Sequence, residues 1–152
     1  MAILVLCALL SAAQSQPARQ EWLEAFNAAM VKVDSQDYWP AESALRRALG
    51  FAAKIGPESR EMALTSNALA AVCQHVGRPE QAERYYLQAL SVYEGAPETE
   101  GKALATVSNN LARLYLDNGR TADAGKLLRR ALAARHGAAD HPDLEQIGRA
   151  HV

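Results

Sequence analysis

The sequence predicts an all-α protein built as a solenoid of α-hairpins, and three observations predict it. Across the 152 residues, Ala and Leu are abundant and β-branched residues are few, a balance that favours helix over strand. The phrase QDYWPAESALRRAL at 36–49 returns as GRPEQAERYYLQAL at 77–90 and as GRTADAGKLLRRAL at 119–132. Aligning the three phrases puts Ala41, Ala82 and Ala124 in register, and Ala48, Ala89 and Ala131 coincide seven residues further on. Between them stand Leu45, Tyr86 and Leu128. Small, large, small at i, i+4 and i+7 marks one face of a helix, where the small residues admit a neighbouring helix and the large one fills the gap beside them.

Each phrase follows a second helical stretch: EWLEAFNAAMVKV (21–33), REMALTSNALAAVCQHV (60–76) and KALATVSNNLARLYLDN (102–118). Twelve residues before each register alanine lie Ala29, Ala70 and Ala112, so every unit pairs two helices with small residues at their crossing. Gly77 and Gly119 supply a left-handed residue to end the first helix of a pair, and Gln36 stands where that glycine is absent. Pro79 suits the first turn of the next helix. Longer segments, KIGPES, EGAPETEG and HGAADHPDLE, read as loops between pairs, punctuated by Pro57, Pro97 and Pro142. Trp39 before Pro40 reads as a packed turn. The repeats fall at about 21–56, 60–97 and 102–138, with the start of a fourth at 140–145.

This pattern resembles the tetratricopeptide repeat over about residues 21–145. The small residue inside the first helix and the Ala-x6-Ala of the second carry the likeness. The period near 42, the NALAAV and NNLARLY stretches and the HPDLE link are similar to the kinesin-light-chain type of that family. The resemblance implies a right-handed superhelix whose groove, lined by the first helices, holds an extended peptide or a partner's helix. It carries groove positions over to Asn67, Ala71, Gln74 and His75 in the second repeat, and to Thr106, Asn109, Arg113 and Asp117 in the third. In the first repeat they are Phe26, Met30 and Asp34. Asn67 and Asn109 stand 42 residues apart and can each donate to and accept from a peptide main chain, and Arg113 can fork onto a carboxylate. Solvated asparagines are the alternative at both positions, whereas Asn110 reads as structural.

Other chemistry is sparse. The formal net charge is −1 and the Lys and Arg residues are scattered, which argues against nucleic acid as a partner. Arg46-Arg47 and Arg129-Arg130 read as solvated faces shared with Glu42 and nearby carboxylates. His75 lacks the nucleophile and partners of an acid–base site, so no catalytic residue is assigned. His136 and His141 make no metal site without acidic or thiol company, and no cofactor is implied. Cys73 occupies a core position and reads as a buried, inert thiol.

The two ends stand apart. Ala2 to Leu10 is apolar and is followed by Ser11-Ala12-Ala13, which reads as a signal peptide over 1–15, cleaved after Ala13 or Ser15. Export of a bacterial type, to the periplasm or the exterior, follows from it, with the leader as the only membrane contact. A buried N-terminal helix and a cytoplasmic location are the alternative. The last residues, QIGRAHV (146–152), resemble translated sequencing adapter and are expected to lie outside the fold. The leading function is a non-catalytic scaffold for a protein or peptide. The alternative is the N-terminal repeat region of a larger protein with an enzymatic or signalling domain beyond it. Leu127, Leu128 and Leu132, without a following helix, are expected to form an exposed apolar strip, through which the chain could also form an oligomer.

Overall fold

The structure, a computed structural model, describes the backbone of residues 2–95 and 97–136 and the side chains of 16–95 and 100–133. The fourth repeat start, the adapter-like tail, His141 and the side chains of the leader lie outside the described residues. Among those described, helix is the only regular structure: α1 (Ala2–Asp34), α2 (Tyr38–Ile55), α3 (Arg60–His75), α4 (Pro79–Glu94), α5 (Pro97–Asp117) and α6 (Thr121–His136). The chain divides into a unit of residues 1–92 and a second of residues 93–152.

In the first unit, α1 packs on α2, and both pack on α3. The alanine register is the buried seam: Ala29, Ala41, Ala48, Ala70, Ala82 and Ala89 are all fully shielded from solvent, as are Leu45 and Tyr86 between them. Ala29, Ala41, Leu45, Leu69 and Val72 form one cluster; Trp22, Ala25, Ala48, Ala52 and Met62 form another, with Phe26 packed against both. Buried polar groups cross the helices as pairs, as removal from water demands. The Trp22 indole N–H donates to Thr65 Oγ1 over 2.8 Å, and the Thr65 hydroxyl donates to the Glu61 carbonyl. Arg19 reaches Glu61 at 3.1 Å, so α1 is tied to α3 by charge as well as by packing. Ser66 donates to Gln88 Oε1 at 3.2 Å, linking α3 to α4.

In the second unit α5 packs on α6. Ala112, Ala124 and Ala131 repeat the buried register, with Leu111 fully buried beside them. Leu128 departs from it. Its counterparts Leu45 and Tyr86 are fully buried, yet Leu128 is 43% exposed and Leu132 is 41% exposed. Leu127 is half-buried, so the exposed strip on α6 consists of the other two. Ser108 is fully buried with no hydrogen-bond partner for its hydroxyl, although Ser66, 42 residues earlier, has one in Gln88. The residue matching Gln88 is Arg130, and its guanidinium is held 2.7 Å from Glu94 at the end of α4.

The joint inside each hairpin is the same object three times. Asp37 N–H donates to the Lys32 carbonyl, Arg78 N–H to Cys73 and Arg120 N–H to Tyr115, at 2.9, 2.8 and 2.8 Å. One residue earlier, Gln36, Gly77 and Gly119 donate to Val33, Gln74 and Leu116. These paired bonds close a helix through a left-handed residue. Gly77 and Gly119 adopt φ of 73° and 74°, and Gln36 is forced to φ 59°. The carbonyls of Asp37, Arg78 and Arg120 then accept from the amides of Ala41, Ala82 and Ala124, opening the second helix at once. A side chain in the left-handed region costs about 1–2 kcal/mol, part of which a glycine gives back through its freer unfolded chain. Gln36→Gly is accordingly expected to stabilise the chain by about 0.5–1 kcal/mol, read as a higher urea midpoint at unchanged slope.

Three expectations change in detail. The first helix does not begin near residue 21 but runs through Pro17, an exposed position, with Ala18 already buried. The segment EGAPETEG is not all loop, since α5 starts at Pro97, where a missing amide hydrogen in the first turn costs nothing. Trp39 is not packed in its turn: it is 68% exposed, with the Arg78 guanidinium 5.0 Å from its ring centre. Ser59 caps α3 conventionally, its hydroxyl accepting from the Met62 amide.

Candidate functional site

The first helices present the polar positions expected from the sequence. On α3, Asn67, Ala71 and Gln74 follow one another at helical spacing and are half-buried, while His75 is exposed at the helix end. Gln74 Oε1 accepts from the Tyr86 hydroxyl at 3.3 Å, so this side chain helps to hold α4 on α3. His75 lies flat on Tyr38, with ring centres 4.6 Å apart and planes 5° from parallel. Its ring therefore bridges the start of α2 and the end of α3. In the first repeat Phe26 stacks on Trp22 at 5.1 Å and belongs to the core; Met30 is half-buried and Asp34 exposed.

On α5, Thr106, Asn109, Arg113 and Asp117 are all exposed, on a stripe that alternates with the buried Val107, Leu111 and Leu114. The Thr106 hydroxyl donates to the Lys102 carbonyl one turn back. The stripe thus offers amide, guanidinium and carboxylate groups from a helix whose other side is anchored. Asn110, beside it, is half-buried.

Around the joint between the first and second repeats lies a charge cluster that the sequence showed only in part. Glu42 is buried, and Arg46 Nη2 and Nε donate to its Oε1 at 2.7 and 3.1 Å. Arg78 Nη1 donates to both oxygens of Glu42, at 3.0 and 3.2 Å. Burial opposes charge on Glu42, but the Arg46 hydrogen bond and the positive charges of Arg78 and Arg46 outweigh it and hold the carboxyl below its ordinary value of 4.5. Burial pushes the Cys73 thiol up, and the neighbouring Glu42 adds to that, which agrees with a fully buried, inert sulfur. The turn arginine of the second unit behaves differently: Arg120 lies 3.8 Å from the Tyr115 ring centre and pairs with Asp123. Among the described residues there is no group of three potential metal ligands, and no helix is long and apolar enough to cross a membrane.

A family model for the tetratricopeptide repeat matches residues 61–136, half of the chain and all but the first residue of its second and third helix pairs. The chain belongs to the tetratricopeptide repeat family. Solved structures agree with the tetratricopeptide assignment. The chain is similar to BtubC (BKLC) from P. vanneervenii, at 27% identity and a TM-score of 0.69, over 78% of this chain and 46% of that one. It is similar in fold to the tetratricopeptide domain of Arabidopsis FLU, at 21% identity and a TM-score of 0.68, over 79% of this chain and 98% of the other. A putative kinesin light chain from Podosopora anserina, with nearly identical repeats, gives 21% identity and a TM-score of 0.67 over 84% and 61%. The chain thus spans about half the length of BtubC and three-fifths of the Podosopora protein. No curated protein matches it. Tetratricopeptide repeats of this kinesin-light-chain-like kind typically form non-catalytic protein-interaction scaffolds.

Proposed function

We propose that this tetratricopeptide protein holds a peptide or protein partner against the first helices of its repeats, without catalysing a reaction. The observation that supports it is the recurrence of one amide residue on two helices: Asn67 and Asn109 occupy the same repeat position, each on a helix whose opposite side is buried. An amide side chain can pair with a peptide main chain whatever the peptide's sequence, and preformed helices avoid the entropic cost of ordering a site on binding. Arg113 and Asp117 then bias the choice by charge. Gln74 and His75, already engaged with Tyr86 and Tyr38, shape the end of the α3 face. A protein partner fits the scattered charge better than nucleic acid does.

Peptides selected by the chain from a displayed library provide the test. Asn67→Ala combined with Asn109→Ala is expected to weaken the selected peptides by about tenfold, a loss of roughly 1.4 kcal/mol, while the chain keeps its helical fold. Unaltered affinity would remove both residues from the site.

We further propose that the leader over residues 1–15 is removed during export to the periplasm or exterior. Expressed with its leader in a bacterial host, the protein is expected to appear outside the cytoplasm with a mature N-terminus at Gln14 or Gln16. An intact Met1 found by mass spectrometry would instead support the cytoplasmic reading.

A further inference from the structure

Between the second helices of the first unit lies a polar cavity of about 320 Å³, open to solvent and lined by Arg46 from α2 and by Gln81, Arg84, Tyr85 and Gln88 from α4. None of these residues belongs to the first-helix face. The α4 members sit at i, i+3, i+4 and i+7, so a single helix face supplies four of the five walls. The cavity has a rigid floor. Gln88 is fixed by its bonds with Ser66 and Met62, Gln81 Oε1 accepts the Cys73 thiol at 3.9 Å, and Tyr85 packs on the cluster around Leu45.

The two arginines are not equivalent. Arg46 gives Nε and Nη2 to Glu42, so its donor edge is already engaged. Among the described residues no carboxylate pairs with Arg84. Glu80 and Glu83 share its helix but do not line the cavity. The lining therefore offers one guanidinium without a carboxylate partner, together with amide and phenol groups. That set matches a singly charged carboxylate flanked by peptide amides: the guanidinium fork takes the carboxylate, and the glutamine and tyrosine side chains take neighbouring N–H and C=O groups. A volume at the lower end of ligand pockets, which run from ~300 Å³, suits one or two side chains of a bound chain.

We infer that this cavity is a second interaction site, one that takes an acidic side chain of a protein partner independently of the first-helix face. The probes are acetyl-tetraglutamate amide, acetyl-tetraglutamine amide and inorganic phosphate, each titrated into the full chain and followed by ¹⁵N NMR. The tetraglutamate peptide is expected to move the Arg84 Nε–H and Gln81 side-chain signals saturably and to lose affinity as salt is raised. Arg84→Ala is expected to weaken it about tenfold, and Arg84→Lys by less, since the charge remains while the fork is lost. In the double variant of Asn67 and Asn109, tetraglutamate is expected to move the Arg84 and Gln81 signals with the parent's affinity, which separates this site from the one on the first helices. Equal movement of the Gln81 side-chain signals by tetraglutamine, or an unchanged tetraglutamate affinity read from those signals in Arg84→Ala, overturns the inference. Phosphate acting at the same residues with equal strength overturns it in favour of a free-anion site. Arg84 is exposed, so its variants are expected to keep the parent helicity, and a change in circular dichroism would overturn the assignment of Arg84 to a surface site.

Discussion

Leu45→Ala is expected to destabilise the protein by about 2–5 kcal/mol, whereas Leu128→Ala, the same substitution at the same repeat position, is expected to cost less than about 1 kcal/mol. Leu45 is fully enclosed by Ala29, Ala41, Leu69 and Val72, so truncation both returns apolar area to water and leaves a void that packed helices cannot close. Leu128 is 43% exposed, and its removal leaves no enclosed space. Urea unfolding of the two variants measures the contrast. Similar costs at both positions would mean that Leu128 is covered in solution, and the assignment of an open apolar strip to α6 would fail.

Trp22→Ala is expected to cost about 3–5 kcal/mol, against no more than about 1 kcal/mol for Trp39→Ala. The two tryptophans share a residue type and nothing else. Trp22 is 9% exposed, stacks on Phe26 and joins α1 to α3 through its bond to Thr65, so its loss strips a wall from the core and leaves the threonine hydroxyl short of a donor. Trp39 lies on the surface beneath Arg78 and gives up a cation–π contact alone. Thermal unfolding by circular dichroism gives both values. Fluorescence supplies a second reading: the Trp39→Ala protein should emit further to the blue than the Trp22→Ala protein, because only the buried indole remains.

Much of this was legible in the sequence, for an identifiable reason. Positions such as Ala41, Ala82 and Ala124 are constrained by helix crossings that recur with the repeat, so a spacing of 41 and 42 residues exposes them without coordinates. The turn at Gln36, Gly77 and Gly119 was legible on the same ground, even where the residue type changed. The first-helix stripes were placed by analogy with the family; Asn109, Arg113 and Asp117 lie on an exposed face of α5, whereas Asn67 and Gln74 on α3 are half-buried. What escaped were features made by residues from different helices with no counterpart in the next repeat. The Tyr38–His75 stack, the Gln74–Tyr86 bond and the Arg46–Arg84 cavity each depend on a rotamer choice across a helix gap, which spacing does not encode. The start of α5 escaped for another reason: a proline surrounded by small and acidic residues reads as a breaker, and only the helix beyond it shows that Pro97 is its first turn.

Within each hairpin one residue, Asp37, Arg78 or Arg120, has its amide closing the helix behind and its carbonyl starting the helix ahead. No spare residue separates the two helices, so the joint has no slack. Inserting a single amino acid there would break both hydrogen bonds and rotate the following alanine seam away from its neighbour by roughly 100°, the turn per residue of an α-helix. The stretch from Gly56 to Ser59 between hairpins carries no such double duty. Length variation in chains of this design should therefore accumulate between hairpins and be purged from within them.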